Sequence, residues 1–545
     1  MTATAVVPRR VGAVSLPSRP LEAFGRQLRF IARRDRVRAS VWIAAVVGLV
    51  AVSAASVVAL YQTPEDRELY ATVSLANVAF KAINGPGYGL DDATPGAVMM
   101  NEVSIFTYVA MALMAILLVV RHTRAEEETD RAELVLAAPV GRYATMAAAA
   151  VWVCGVSLVI GLGLTAAMLA AGLPVAGSIA FGATSAAIGV CFVGVALVAA
   201  QLASSGRAAT ALAGAVLGAS FVVRGVGDIG NGWMTWLSPV GITQAIRPYA
   251  GERWWVLAVL VLLGASTTGV AVMLLGRRDL GAGILGQSAG PAVGDRRLAT
   301  PLAIAVRLQR GAFLGWLAGV AVTGFFIGLI ADEAEALAES EAVAELIARA
   351  GQGSITEALL ATMTLMVALI ASGFTVSSVL RLRTEETAGR AEPILAAPVD
   401  RRRWLLSHYL VAVGGSLAIM VATGVTIGVG YVSATGRTDQ VLPVLGAALA
   451  QFVAMLVLAA STLALFAMGA RWALLGWLGV VVSFVVGLLG DTLDLPQWVR
   501  NVSPFEHVPS LPAAPFQPLP LVVLAAIAVA LTATAMAAIR RRDVG

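Results

Sequence analysis

Apolar residues along this chain fall in long runs divided by short polar intervals, with few charges inside the runs. A helix needs about 20 mainly apolar residues to cross the ~30 Å hydrocarbon layer of a bilayer, and it satisfies its own backbone there, as that layer demands. Twelve runs of about that length are predicted as spans, near residues 40–61, 98–120, 144–171, 175–203, 208–224, 254–276, 311–331, 356–380, 404–432, 441–469, 472–490 and 519–539. The expected fold is therefore an all-α integral membrane protein with twelve transmembrane helices. Two polar intervals are long. Residues 62–101 hold NGPGYGLDDATPG, rich in turn formers, and ADEAEALAESEAVAELIARA at 331–350 reads as an acidic surface helix with Leu337, Val343, Leu346 and Ile347 on its apolar side.

Composition agrees with the pattern and adds an orientation. Of 545 residues, 58% are hydrophobic and 13% charged, against about 25% charged in soluble domains. The first 38 residues are arginine-rich and lack the compact apolar core of a cleavable signal. Arg26, Arg29, Arg33, Arg34, Arg36 and Arg38, the arginines from Arg121 to Arg142, Arg207, Arg277 and Arg278, and Arg540 to Arg542 all fall on one side of the predicted spans. Glu65, Asp66, Glu68, Asp91, Asp92, Asp332, Glu333, Glu335, Glu339 and Glu341 fall on the other. Basic loops stay in the cytoplasm, so a multi-pass protein of the cell membrane with both termini cytoplasmic is expected. The formal charge of +5 is then a topology signal and calls for no nucleic acid.

Several chemistries are not supported by the residues present. Cys154 and Cys191 lie within apolar runs and read as small buried hydrophobes. His122, His408 and His507 show no ligand spacing, so no metal site is expected. A phosphate-cradling loop needs glycines followed by lysine and a hydroxyl residue; the single lysine, Lys81, falls in an outer loop. GVGDIG at 225–230 and GAGILG at 281–286 match a dinucleotide pattern but follow no strand. No cofactor is expected on this chain, and no catalytic residue.

The chain is one unit written twice. RAELVLAAPVGR at 131–142 returns as RAEPILAAPVDR at 390–401, with nine of twelve positions identical and an offset of 259. Arg36 and Trp42 return as Arg310 and Trp316, Arg207 as Arg471, Ser238 and Pro239 as Ser503 and Pro504, and Arg277, Arg278 and Asp279 as Arg541, Arg542 and Asp543. Each copy holds six predicted spans and starts on the same side, which gives two parallel six-helix repeats related by an axis along the membrane normal. The expected division is 1–280, a glycine- and proline-rich linker at 281–299, and 300–545.

Both copies of the charged segment fall between the second and third spans of their half. The first reads as a short amphipathic helix that stops before Pro139, and Pro393 is expected to break or restart the second. Such a loop is either a solvated interfacial anchor or a surface that two equal partners recognise. A six-span unit with a charged helix between spans two and three resembles the permeases of type V ABC exporters. The fused form, with EETDRAELVLAAPVGR in one half and EETAGRAEPILAAPVDR in the other, is similar to actinobacterial permeases for polyketide antibiotics and other drugs.

That resemblance implies a transmembrane permease exporting hydrophobic small molecules, with two copies of a separate cytosolic ATPase docked on coupling helices at 124–142 and 383–401. ATP and Mg would then belong to the partner. The coupling role falls on Glu126, Glu127, Arg131 and Glu133, with Glu385, Glu386, Arg390 and Glu392. LEAFGRQLRFIARR, with Leu21, Phe24, Leu28 and Ile31 on one face, is similar to the family's connecting helix, with a shorter counterpart at 302–308. Spans one, two and five surround the pathway in that family, which suggests Phe106, Met111, Met114, Met363, Met366 and Phe374, for each of which helix packing is the competing reading. Gly214 with Gly218 and Gly311 with Gly315 are small pairs that permit close helix contact.

Asp228 and Asp491 fall just beyond the fifth and eleventh predicted spans and suit either an outer gate or a loop cap; Arg224 is spaced to pair with Asp228. The alternative function is a proton-coupled secondary drug antiporter with two parallel six-span halves. It would favour an ionisable residue within the membrane, and the predicted spans offer little beyond Glu102. A third reading is a membrane anchoring protein that moves nothing.

Overall fold

A computed structural model of the chain describes residues 19–76, 78–128, 140–230, 232–278, 283–285, 298, 300–338, 355–489 and 495–542. The described residues are helices and connecting turns, without a strand. They form two compact units, Met1–Gly290 and Pro291–Gly545.

In the first unit, α1 runs from Phe24–Leu60. The segment expected as a separate connecting helix is the opening of this one helix, because neither proline nor a turn signal separates Arg38 from the apolar run. Its 37 residues span about 55 Å, well beyond the ~30 Å hydrocarbon layer, and the excess carries the arginines. Phe24, Leu28 and Ile31 pack on Ala148, Ala149 and Trp152, so this apolar face meets a neighbouring helix, while Leu21 is exposed.

Two short helices follow, α2 (Pro64–Ala76) and α3 (Val78–Asn84), then α4 (Pro95–His122). Thr94 caps α4 by accepting from the Ala97 amide at 3.2 Å, with Pro95 in the first turn. After α5 (Arg124–Glu128) come α6 (Ala144–Ala170), α7 (Val175–Leu202), α8 (Gly206–Ile229), α9 (Pro239–Gln244) and α10 (Trp255–Arg277). Helices α4 and α7 are the most enclosed spans of the unit. Where α6 crosses α7, a Cβ on Gly161 would stand 2.5 Å from the Gly182 carbonyl oxygen, so the close approach depends on glycine.

The second unit opens with α11 (Pro301–Ala338), whose 38 residues repeat the overlong first helix. It continues with α12 (Ile355–Val379), α13 (Arg381–Thr387), α14 (Ala391–Ala396), α15 (Arg401–Thr435), α16 (Val441–Met468), α17 (Gly476–Leu489), α18 (Gln497–Arg500) and α19 (Pro518–Ala538). Helices α11 and α15 touch through backbone: a Cβ on Gly328 would lie 2.1 Å from the Ile427 carbonyl oxygen, and one on Gly430 equally close to that of Phe325. Gly214, Gly218, Gly311 and Gly315, expected to make such contacts, have nothing within 4 Å of a built Cβ.

Eleven helices among the described residues are long and apolar enough to cross a membrane. The run expected at 472–490 begins with a 3-10 turn at Trp472–Leu475, which leaves α17 with 14 residues, about 21 Å. Its expected end at 490 lies outside the described residues, as do Val343, Leu346 and Ile347 of the acidic helix expected after span seven.

Candidate functional site

The duplicated charged segment begins where α4 ends. Thr123 breaks the helix, and α5 turns its acidic side toward the unit. Glu126 pairs with Arg34 of α1 at 2.6 Å. Glu127 accepts from Arg124 at 2.6 Å and from both terminal nitrogens of Arg278 at 2.6 and 2.9 Å. Arg278, just past α10, also donates to Gln201 of α7 at 2.7 Å. Arg142 closes the set by donating to the carbonyls of Leu275 and Arg278 at 2.7 and 2.6 Å. The side chains of Arg124 and Arg278 are 1% and 3% exposed and that of Glu127 16%. A nearly buried pair of this kind adds little beyond an apolar pair, but losing one partner costs about 3–5 kcal/mol because a charge is stranded.

The second unit repeats the construction. Glu386 of α13 pairs closely with Arg542, just past α19. Arg542 donates to the Phe466 carbonyl at 2.6 Å, and Arg401 donates to the Arg542 carbonyl at 2.6 Å. Glu127, Arg142 and Arg278 thus answer to Glu386, Arg401 and Arg542, the positions that the sequence repeat aligns. In each unit a carboxylate at the head of the charged segment, an arginine at its end and the terminus of the last span are tied into one lock.

Three of the expected coupling residues make ion pairs within their own unit. Glu127, Glu385 and Glu386 are turned inward, Glu385 taking Arg381 at 2.7 Å and Arg390 at 3.0 Å with 3% exposure of its own side chain. Glu126 keeps 21% exposure beside Arg34. Arg390 remains half exposed and Glu392 is exposed. Arg131 and Glu133 lie outside the described residues, as does the expected helix end at Pro139. Of the break or restart expected at Pro393, the break falls at Gly389, whose φ of 67° suits glycine, and the helix restarts as α14 with Pro393 in its first turn. One difference between the copies has a local cause. Gly141 lies under residues 19–22, where a Cβ would stand 2.4 Å from the Arg19 carbonyl oxygen, whereas its counterpart Asp400 caps α15.

Of the expected pathway residues, Met111, Met114 and Phe374 are buried in helix contacts, Met363 and Met366 are half-buried, and Phe106 is 56% exposed. Phe374 packs against Phe313 and Trp316. A wholly apolar groove of about 300 Å³ is lined by Trp316 of α11, Ile370 and Gly373 of α12, and Trp477, Val481 and Phe484 of α17. These helices are the first, second and fifth runs of the second half. The sequence reading missed Trp477 and Phe484, whose aromatic side chains among valines were the available signal.

Beyond α8 the chain doubles back, and Ser238 donates to the Ser220 carbonyl at 2.6 Å. The expected Arg224–Asp228 pair is present at 3.0 Å with both side chains buried. Arg224 also donates to the carbonyls of Ala82 and Ile83 at 2.6 and 2.9 Å, closing the end of α3. Asp228 accepts from Thr235 at 3.0 Å. Asp491 lies outside the described residues. Tyr249, at φ 61°, lays its ring over Gly96 and Gly177 and its hydroxyl 2.9 Å from that of Ser178. Burial pushes that hydroxyl up to about 12, so it stays protonated as a neutral bond former.

Sequence reasoning also missed Asp35, a fully buried acid on α1 with His122 at 3.1 Å, Arg121 at 3.6 Å and Arg38 at 3.7 Å. The offset that aligns Arg36 with Arg310 places Asp35 on Gln309, also buried and 3.4 Å from Nδ1 of His408. Of the two dinucleotide-like stretches, 225–230 is helical end and turn, and half of 281–286 lies outside the described residues. Cys154 and Cys191 are free thiols, half-buried and buried. Among the described residues, no three His, Cys, Asp or Glu side chains gather as metal ligands.

Many long apolar helices, two units carrying the same ionic lock and an apolar groove between spans describe a multi-pass membrane permease. Residues 298–540 match the family model described as the C-terminal domain of multidrug efflux system permease Rv1217c. Over 522 residues the chain is 39% identical to the multidrug efflux system permease protein Rv1217c of Mycobacterium tuberculosis (strain ATCC 25618 / H37Rv), an alignment covering 95% of this chain and 94% of that protein. The chain belongs to this family of multidrug efflux permeases.

Proposed function

We propose that this chain is the membrane-spanning subunit of an ATP-driven exporter of hydrophobic drugs or polyketide-type antibiotics. Two copies of a separate ATPase, holding ATP and Mg, dock on residues 124–142 and 383–401 from the cytoplasm. Both termini lie on that side, and α17 is the twelfth span. The observation that carries the reading is the lock Glu127–Arg278–Arg142 and its repeat Glu386–Arg542–Arg401. Each ties a charged segment to the last span of its unit, so a push on the segment is delivered to a membrane helix. A mere interfacial anchor needs polarity alone and gives no reason to keep the same three-way tie twice. Export runs through adaptable apolar surface, for which the groove at Trp316, Trp477 and Phe484 supplies aromatic walls.

The test is transport of a fluorescent hydrophobic drug by the chain with its ATPase in inverted membrane vesicles. Accumulation that requires ATP and survives collapse of the proton gradient is expected. Transport by the chain alone, driven by a proton gradient, would overturn the proposal.

Proton-coupled antiport is the second reading, and Asp35 is the observation that favours it, since a buried ionisable group on a span is the default proton site. Its two arginine neighbours and His122 at the arginine-bearing end of α4 suit a fixed structural anion instead. Under the ATP-driven reading, Asp35→Asn leaves transport indifferent to the proton gradient.

A further inference from the structure

A second apolar groove, of about 320 Å³, lies in the second unit between the opening of α11 and α15. Leu302, Val306 and Phe313 form one wall, Leu410, Val411 and Gly414 the other, and Arg310 stands at it. Leu302, Val306 and Leu410 are 41%, 49% and 45% exposed. Helices α11 and α15 are in backbone contact at Gly328 and Gly430, and beside the groove Gln309 of α11 lies 3.4 Å from Nδ1 of His408 of α15.

The same place in the first unit is filled. The repeat aligns Val411 with Trp152 and Gly415 with Val156. Trp152 packs with Leu28 and Ile31 there, whereas the second unit has only the isopropyl group of Val411; at Gly415 the place of the Val156 side chain is taken by Phe374, 2.6 Å from a built Cβ. A Cβ on Gly414 would meet nothing within 4 Å, as is also true of its counterpart Gly155, so the difference between the units rests on Val411 in place of Trp152.

We propose that this groove binds one acyl chain of an anionic phospholipid, with its phosphate held by Arg310. The inference rests on the membrane embedding of α11 and α15 and not on what the permease carries. Lipid tails are as apolar as leucine, so the walls alone would select no lipid over its neighbours. Selection comes from charge. Arg310 is exposed, as is Arg307 one turn earlier, and arginine reaches a headgroup by extending its stem along apolar surface. An arginine near an anionic surface is worth about fivefold in binding. The volume falls at the low end of ligand cavities, roughly 300–1,000 Å³, which suits a single chain.

The test is native mass spectrometry of the full-length chain released from bilayers of phosphatidylcholine with a minor share of phosphatidylglycerol. Wild type is expected to retain one phosphatidylglycerol about fivefold above its share. Arg310→Gln should lose that preference, and Val411→Trp, which installs the first unit's own residue, should lose the lipid while every surface arginine stays in place. Gly414→Leu fills the same room from another position on that wall and serves if Val411→Trp fails to fold. Equal retention of the two lipids by wild type, full preference in Arg310→Gln, or an unchanged lipid count in a folded groove-filling variant would each overturn the proposal.

Discussion

Breaking the lock at one carboxylate should loosen the charged segment and the last span together. Glu127→Gln keeps the size of the side chain but removes the charge that two nearly buried guanidiniums, Arg124 and Arg278, share. Loss of one partner from a buried pair costs about 3–5 kcal/mol, and the partial exposure of Glu127 argues for the lower end, about 3 kcal/mol. At 1.36 kcal/mol per decade, amides of α5 and the end of α10 that exchange by local opening should exchange about a hundredfold faster. Hydrogen exchange of the purified chain reads this directly. Arg278→Gln should do the same, and the double variant should be no worse than the more severe single one, because both remove one interaction. Exchange within twofold of wild type in Glu127→Gln, or fully additive effects in the double variant, would refute the lock.

Other outcomes follow from the same contacts. Arg224→Gln strands Asp228 and frees the carbonyls at the end of α3, a loss of about 3–5 kcal/mol, seen as faster proteolysis in the turn at residues 85–94; wild-type proteolysis would contradict it. Gly328→Leu drives a side chain into the Ile427 carbonyl and should abolish recovery of folded chain, whereas Gly214→Ala, with open space around it, should raise helix stability by about 0.5–1 kcal/mol in a thermal melt. Trp477→Ala should impair export of large apolar drugs more than Met114→Leu, since the indole lines the groove and Met114 is buried in packing; equal export by the two variants would return the pathway to the α4 methionines.

Long apolar segments with sharp polar borders were legible almost to the residue. Predicted spans at 144–171, 175–203 and 441–469 are the helices Ala144–Ala170, Val175–Leu202 and Val441–Met468. Where a helix continues through charged residues, apolar periodicity marks only the part suited to lipid, so α1 and α11 run far past the predicted spans. The 3-10 start of the run at 472–490 has no such pattern to announce it, and Gly469 and Gly476 on either side were the available cue. At the site, the repeat identified which residues matter but not what they face. Glu127 and Arg278 are 151 positions apart, and nothing local in either segment says that they meet. Asp35 was hidden for a related reason: it stands among six arginines, and only the packing of α4 against α1 makes it a buried partner of His122.

The central claim is that force enters this chain at two equivalently built points. Its most direct test is chemical cross-linking of the purified complex, combined with its mass. The account predicts two ATPase subunits per chain, one cross-linked within residues 124–142 and the other within 383–401. A complex with no ATPase, or one whose cross-links avoid both segments, would contradict it.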